Sequence, residues 1–378
     1  MTQLGTRKSR KGCSACKQRH VKCDEEVPCS NCIRRNESCS LAVTPSTALT
    51  SRDDDDALPS NTNEWLQDME LMQYYSTYLT KERVLFKNGS GLLWQEVIPQ
   101  EALKHAFLLH GLLALSALHM AYNHPEQASR CLRMCDRHQG AALVKFREAL
   151  SGALTEENSA ALFALATVMS VLSLARSHAM VAYNPEPRAL DMDAIAEGVV
   201  MAHGVRAITS SAHDFLVKHP LSQLFYGYTM PEEARTTTHL PESVLSHFTA
   251  VEQMLRQKCE AETFKACLDA WNELVDIYHH LTYFLRLGPV ESGIVWRWPA
   301  TLSEEATRLI RTRHPPMLVI LAHYAAASGP LHGSWFVNEW GKFALQGVSL
   351  VLADDMQHWL EWPSEQLKMN LEVLLSVE

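Results

Sequence analysis

Six of the ten cysteines in this chain fall within the 29 residues from Gly12 to Ser40, in two C-x2-C-x6-C halves joined by five residues. They are Cys13, Cys16, Cys23, Cys29, Cys32 and Cys39. A C-x2-C step lets both sulfurs point at one centre, which suits a tetrahedral zinc ion with thiolate ligands. Six thiolates are too many for one such ion and too few for two separate four-sulfur sites. If two sulfurs each bridge both metals, every zinc has four ligands. The spacing therefore predicts two Zn²⁺ ions, which a soft ligand set selects over hard cations.

Disulfide bonds are the alternative use of closely spaced cysteines. The sequence before the first cysteine, MTQLGTRKSRKG, lacks the apolar stretch of a secretory signal. A reducing compartment is therefore expected, and disulfides are rare there. This favours metal binding over a disulfide framework.

The residues around the cysteines are strongly basic. Residues 1–40 contain nine Lys and Arg against four Asp and Glu, a net charge of +5. The whole chain carries −9, so residues 41–378 carry −14, from 25 cations and 39 anions. This asymmetry indicates that the N-terminal segment meets a polyanion, of which double-stranded DNA is one. The candidate residues for such contacts are Lys17, Arg19, His20, Lys22, Arg10, Lys11 and Arg34.

Basic side chains can have two roles in DNA recognition. Lys and Arg donate to guanine O6 and N7 in the major groove, and other cations position a protein on the phosphates. A solvated surface is the alternative for any single cation, but nine of them around a metal-pinned module argue against it. The run at residues 7–11, RKSRK, is also typical of a nuclear import signal, so the expected location is the nucleus, with exchange with the cytoplasm left open.

Residues 12–40 resemble the fungal binuclear zinc cluster, or Zn2Cys6, DNA-binding domain. The resemblance implies that Cys13 and Cys29, the first and fourth cysteines, bridge the two metals. It also implies a nuclear transcription factor of the RNA polymerase II type. Because so small a module has almost no apolar core, its folding is expected to depend on zinc.

The same resemblance implies that the first short helix enters the major groove and reads a CGG-like half-site. The reading residues are then Lys17, Arg19 and His20, with Lys22 on a phosphate. Many family members have Lys or Arg where this chain has His20. Imidazole is shorter than those side chains and mostly neutral near pH 7, which changes the base preference expected at that contact.

The composition changes after the last of the six cysteines. Residues 41–63, LAVTPSTALTSRDDDDALPSNTN, are rich in Ser, Thr, Pro and Asp, which predicts a disordered linker between a DNA-binding domain at 1–40 and a second domain at 64–378. No heptad series of a coiled coil follows the cysteines. A homodimer formed through another surface and a monomer on one half-site therefore both remain open.

Residues 64–378 show helical spacing of apolar residues almost throughout. The predicted fold class is mostly α, with a small zinc module, a linker and a large all-helical domain. The predicted helices lie at about 65–79, 99–122, 125–150, 160–175, 188–208, 242–286, 303–326 and 335–361. Two of them are apolar enough to suggest a membrane, but core helices are expected, because histidines interrupt one and the other is too short.

The second domain resembles the regulatory domain of fungal zinc-cluster factors, in particular the group that includes the yeast sterol-uptake regulators. The residues that carry this resemblance are MELM at 69–72, LW at 93–94, HAFLLHGLLALSALHMA at 105–121, WFVNEWGKFAL at 335–345 and HWLEWP at 358–363. It implies a domain that contacts the transcription machinery or senses a small apolar ligand such as a sterol. A sterol or lipid receptor is thus the alternative function. No catalytic motif is present, so an enzyme is not expected.

Overall fold

A computed structural model describes most of the chain. The described residues are 12–35, 37, 39–41, 60–80, 91–182, 189–226, 229–331 and 333–375. The chain divides into two compact units, Met1–Ser60 and Asn61–Glu378, each considered by itself below. Arg10 and Lys11, together with the import-type run at 7–11 and nearly all of the expected linker, lie outside the described residues.

The first unit contains two short helices, α1 (Ser14–Gln18) and α2 (Ser30–Arg35). The helices that follow are α3 (Ser60–Tyr74), α4 (Ile98–Lys104), α5 (Ala106–Asn123), α6 (Ala128–Leu150), α7 (Glu156–Ala182), α8 (Met192–Ser211), α9 (His213–Leu216), α10 (Gln223–Tyr226), α11 (Glu232–Thr237), α12 (Glu242–Lys258), α13 (Ala261–Leu287), α14 (Ser292–Thr301), α15 (Glu304–Arg311), α16 (Pro315–Ala327), α17 (Trp340–Val351) and α18 (Glu361–Lys368). Two π-helical turns are present, Tyr75–Leu79 and Leu93–Val97. Single 3-10 turns occupy Pro125–Gln127, Pro220–Ser222, Gly329–Leu331, Asp354–Leu360 and Glu372–Leu375.

The expected helical fold class is confirmed, and none of the described ranges contains a strand. The helix ends differ from the prediction where a single residue leaves the helical conformation. His105 is extended at φ −128° and ψ 98°, which separates α4 from α5 within the single helix predicted over 99–122. Cys259 is extended in the same way and separates α12 from α13. Helix α3 begins at Ser60, three residues before Asn63, where the linker is expected to end.

Three helices form the centre of the second unit. In α16 every residue from Pro316 to Ala327 is buried. Helices α5 and α7 are long and apolar enough to cross a membrane by length and composition, but 72% of each apolar window is buried inside the unit. A helix that is apolar on all sides is buried against other helices in a folded domain. The burial of α5 and α7 agrees with the expectation that they are core helices.

Only some of the apolar side chains of α3 and of the π-helical turn that follows it face the core. Leu71, Tyr74 and Tyr75 are buried, whereas Trp65 and Met69 are 59% and 46% exposed. The hydroxyl of Tyr75 donates to the carbonyl of Trp94 at 2.7 Å. This bond joins the two π-helical turns and fixes which side of α3 faces inward.

Candidate metal centre and nucleic-acid interface

The first C-x2-C step forms the start of α1. Cys13 is the N-cap residue, and its Sγ accepts from the backbone N–H of Cys16 at 3.4 Å. The helix ends where His20 adopts a left-handed φ of 56°, and the N–H of Val21 donates to the carbonyl of Cys16 at 3.1 Å. This is the Schellman arrangement, which satisfies carbonyls at a helix end. The helix is therefore only five residues long, with Cys13 as its N-cap and Cys16 within it.

The second half repeats the hydrogen bonds of the first with an offset of sixteen residues. The N–H of Cys13 donates to Cys23 Sγ at 3.5 Å, and the N–H of Cys29 donates to Cys39 Sγ at 3.4 Å. The carbonyl of Cys32 accepts from the N–H of Glu37 at 3.1 Å, as Cys16 does from Val21 in the first half. The duplicated spacing in the sequence is thus a duplicated backbone geometry.

The sulfurs of Cys13, Cys16, Cys29 and Cys32 all lie within 4.8 Å of one another. Three Sγ···Sγ distances are 3.7 Å, and they join Cys13 to Cys29, Cys13 to Cys32 and Cys16 to Cys29. Two thiolates bound to one tetrahedral zinc at about 2.3 Å stand about 3.8 Å apart. All six cysteines are at most 5% exposed. The donor set and its spacing therefore fit zinc.

The thiols at this centre differ in acidity. The backbone N–H of Cys16 stabilises the Cys13 thiolate and lowers its pKa to about 6. Burial raises the pKa of Cys16 to about 12 and also raises that of Cys29. A buried cluster of this kind is not fully ionised near neutral pH without a bound cation. Metal binding must therefore displace protons, and acid must weaken it.

No apolar core supports this unit within its described residues. The buried cluster consists of the six cysteines, and only Ala15 and Leu41 pack against it as partly buried apolar side chains. Val27 and Ile33 are more than 60% exposed. The buried packing between the two halves therefore consists mainly of the sulfurs, and the unit depends on the metal that they bind.

Four of the predicted DNA-binding side chains are exposed around this centre. Lys17 lies in the last turn of α1, His20 and Lys22 follow that helix, and Arg34 lies at the end of α2. The amide of Asn31 donates to the carbonyl of Lys22 at 2.8 Å, which ties the segment after α1 to the second half. The structure thus brings three of the predicted contacts together at the end of α1.

Arg19 has a different environment from the one that its place in the sequence suggests. Its guanidinium pairs with Glu37 at 2.5 Å, and its Nε donates to the carbonyl of Ala15 at 3.1 Å. Nη2 lies 3.8 Å from the sulfur of Cys32. One of these three contacts is with a cysteine of the cluster. Spacing alone could not indicate this, because Glu37 and Cys32 belong to the other half.

The loop between the halves carries negative charge. Asp24, Glu25 and Glu26 are exposed, and Asp24 accepts from the backbone N–H of Ser30 at 3.0 Å, at the start of α2. A carboxylate at a helix N-terminus is stabilised by the helix dipole. Carboxylates of this loop repel phosphates. No motif in the sequence indicates this position of Asp24 at the start of α2.

A second candidate site is a cavity of about 350 Å³ in the helical unit. It lies among α7, α8, α14, α16 and α17. Its lining is mainly apolar and includes Phe163, Val199, Trp296, Tyr324 and Trp340. Pockets of this size and character are typical of small-molecule sites.

Two parts of the chain match known protein families. Residues 11–48 match the fungal Zn(2)-Cys(6) binuclear cluster domain, and residues 70–180 match the fungal specific transcription factor domain. The chain therefore has the two domains of a fungal Zn2Cys6 transcription factor, in that order. The first match confirms the expectation of two zinc ions held by six cysteines.

Two curated relatives have names that agree with these matches. A Zn(2)-C6 fungal-type transcription factor of Gibberella zeae is 20% identical over 94% of this chain and 85% of the relative. The Zn(2)-C6 fungal-type transcription factor afumD of Aspergillus fumigatus is 26% identical over 57% of this chain and 58% of the relative. The function that belongs to these domains is DNA-binding regulation of transcription, which takes place in the nucleus. The matched domains and relatives are transcription factors and not enzymes, as expected.

Proposed function

We propose that the first unit reads a short GC-rich, CGG-like DNA element and that two zinc ions hold it in shape. The observation that carries this proposal is the group of exposed cations around the end of α1, directly beside the sulfur cluster. In this proposal Lys17 and His20 contact base edges, and Lys22 contacts a phosphate. Arg34, Arg10 and Lys11 then supply further phosphate contacts.

We propose further that Cys13 and Cys29 are the bridging ligands. Each of the three 3.7 Å contacts contains one of these two cysteines, as sharing between both metals requires. One zinc then takes Cys13, Cys16, Cys23 and Cys29, and the other takes Cys13, Cys29, Cys32 and Cys39.

Within this proposal Arg19 stabilises the metal cluster, and its neighbours Lys17 and His20 contact the bases. Six thiolates and two Zn²⁺ ions carry a net charge of −2, and a guanidinium beside Cys32 offsets part of it. Its ion pair with Glu37 also links the first half to the second. Groups around a metal site that orient its ligands typically change metal affinity when they are replaced.

Variants of the full chain separate these roles. Binding to a duplex with one CGG element is measured by fluorescence anisotropy, with a duplex of altered central base for comparison. Lys17→Ala and His20→Ala should each weaken binding by about 1–3 kcal/mol if they contact bases, with two zinc ions retained. Gln18→Ala, on the same exposed turn, is the control and should bind as the parent does.

For Arg19→Ala we expect a change in zinc retention as well as in DNA binding. It should give up zinc to a competing chelator more readily than the parent, and DNA binding should fall in parallel with zinc content. Unchanged affinity and base preference in both Lys17→Ala and His20→Ala would contradict the assignment of reading residues.

The cavity in the helical unit favours a second role, the sensing of a sterol or another lipid. An apolar pocket lined by five helices can couple a bound molecule to the stability of the regulatory domain. A ligand that binds only the folded state raises the melting temperature in proportion to the logarithm of its concentration once it is in excess. A thermal-stability screen of the full chain against sterols and fatty acids therefore tests this role. Contacts with the transcription machinery and a homodimer are further proposals for the same domain.

A further inference from the structure

Four cysteines lie in the helical unit, away from the zinc cluster, and they form two pairs along the chain. Cys131 and Cys135 are one helical turn apart on α6, whereas Cys259 lies between α12 and α13 and Cys267 lies in the second turn of α13. Cys131, Cys135 and Cys267 are fully buried, and Cys259 is partly exposed. Only the second pair therefore presents a sulfur to solvent.

The backbone between α12 and α13 brings Cys259 onto Cys267. Cys259 and Glu260 are both extended, at ψ 140° and ψ 159°, so neither helix continues through them. The thiol of Cys267 donates a hydrogen bond to the sulfur of Cys259, and the hydroxyl of Thr263 donates a second one. A partly exposed sulfur is thus in direct contact with a buried thiol.

The two sulfurs of this pair differ in acidity. The hydrogen bond from Cys267, with a smaller contribution from Thr263, lowers the pKa of Cys259. The same bond and burial raise the pKa of Cys267, which keeps its proton. Cys259 also directly precedes Glu260, the N-cap of α13, where the helix dipole favours a negative charge. Cys259 is therefore the nucleophilic sulfur of the two.

Metal binding is the alternative use of two neighbouring thiols. Within the described ranges, no third His, Cys, Asp or Glu joins these two sulfurs in a group whose ligand atoms all lie within 4.8 Å of one another. Two thiolates alone do not complete a tetrahedral zinc site. An accessible thiolate beside a second cysteine is instead the arrangement of redox-sensing proteins. The disulfides that such proteins form in reducing compartments are transient.

We infer that Cys259 is an oxidation site, at which a peroxide converts Cys259 and Cys267 reversibly into a disulfide. The Cys259 thiolate attacks one peroxide oxygen, the O–O bond breaks, and hydroxide leaves, so that Cys259 becomes a sulfenic acid. The sulfur of Cys267 then attacks that of Cys259, and the sulfenic hydroxyl leaves as water with the Cys267 proton. The two sulfurs lose two electrons in total and the peroxide gains them. A dithiol returns two electrons and two protons and restores both thiols.

Peptide mapping of the zinc-loaded full chain tests this inference. The protein is treated with increasing hydrogen peroxide, its free thiols are alkylated under denaturing conditions, and a tryptic digest is examined by mass spectrometry. Trypsin cleaves after Lys258 and Lys265, so residues 259–265 and 266–286 are separate peptides unless a disulfide joins them. The joined peptide should accumulate with peroxide. It should disappear when the oxidised protein is treated with dithiothreitol before alkylation.

Cys131 and Cys135 are a matched control within the same sample. Trypsin also separates them, because it cleaves after Arg133. Both side chains are fully buried, and burial raises the pKa of Cys131 and raises that of Cys135 to about 12. Both should therefore remain reduced at peroxide concentrations that join Cys259 to Cys267.

Two variants separate the steps of the reaction. In Cys267→Ser the serine hydroxyl can still donate to the Cys259 thiolate but cannot form a disulfide. The sulfenic acid of Cys259 should then persist and react with dimedone, a reagent for sulfenic acids. Cys259→Ser should leave Cys267 reduced, because that thiol is buried and protonated. Circular dichroism establishes that both variants keep the helical content of the parent.

Three results would overturn the inference. The first is a parent protein in which Cys259 and Cys267 stay reduced at peroxide concentrations that already oxidise the zinc-binding cysteines. The second is linkage of Cys131 to Cys135 at the same peroxide concentration as the other pair, since oxidation would then not depend on exposure or acidity. The third is a folded Cys267→Ser variant that gives no dimedone adduct at Cys259. A disulfide that resists dithiothreitol would contradict the reversibility.

Discussion

The zinc-binding unit and the helical unit bury side chains by different means. In the first, the buried cluster consists of six cysteines, and the two halves meet through their sulfurs. In the second, α5, α7 and α16 are surrounded by other helices, and the core is a continuous apolar cluster. One unit gains its stability from metal binding and the other from apolar burial. Agents that act on one should therefore leave the other intact.

Removal of zinc should have the largest effect and should be confined to the first unit. A strong chelator is expected to unfold that unit and abolish DNA binding, since structural zinc contributes about 10–16 kcal/mol in small zinc modules. The thermal unfolding of the helical unit, followed by circular dichroism, should stay the same. If the chelated protein kept its DNA affinity, the described dependence of this unit on metal would be wrong.

Loss of a bridging cysteine should have nearly as large an effect on metal content. Cys29→Ala should lower zinc from two ions per chain to almost none, because both sites lose a ligand. Cys131→Ala removes a cysteine that is equally buried but lies in α6 of the helical unit, so it should keep both ions. Zinc is measured by elemental analysis of the purified proteins. Retention of one full equivalent in Cys29→Ala would argue against the bridged arrangement.

The sequence predicted the metal site better than it predicted the side chains around it. The two identical spacings define a geometry that depends on local backbone turns, so the cluster could be inferred from the cysteines alone. The environment of Arg19 could not, because its partners Glu37 and Cys32 come from the other half. Likewise, helices of the second unit were evident from spacing, but the inward face of α3 depends on a bond between Tyr75 and Trp94 that no local pattern contains.

The apolar unit should instead be sensitive to small changes in packing. A Cβ at Gly347 in α17 would stand 2.1 Å from the carbonyl oxygen of Leu190, whose own N–H is held by Phe343 at 2.9 Å. Gly347→Ala should therefore destabilise this unit by about 1–3 kcal/mol. Gly140→Ala, in open space on α6, should stabilise it by about 0.5–1 kcal/mol. Chemical denaturation measures both, and equal stability of the two variants would contradict the close approach of α17.

The pH dependence of the helical unit should come from buried histidines. Nδ1–H of His323 donates to the carbonyl of Val319 at 2.8 Å, and its Nε2 accepts from Nε2–H of His247 at 2.9 Å. Burial lowers the pKa of His323 to about 3 and that of His247 to about 4. The unfolded chain, with histidine pKa values of about 6.5, binds more protons below that pH. The stabilisation is therefore complete above about pH 6.5 and is lost as the pH falls toward 4.

Each such histidine should lower the free energy of unfolding by up to about 1.4 kcal/mol for every pH unit of acidification in that range. His323→Gln removes one of them and should flatten the dependence measured by denaturation between pH 6.5 and 4.5, whatever its effect on stability at pH 7. Burial also lowers the pKa of His119 to about 4. The free energy of unfolding of the variant should therefore still fall as the pH falls. An unchanged slope in His323→Gln would show that this histidine does not titrate as described.

The most direct test of DNA reading by the zinc-bound unit is a selection of bound sequences from a random DNA library. The purified full chain is used with and without a zinc chelator, and the enriched sequences are read out. We predict enrichment of a CGG-like element that disappears on chelation, either singly or as two copies at fixed spacing if the helical unit dimerises. No enriched sequence in the zinc-bound protein, or the same enrichment after zinc removal, would contradict the proposed function.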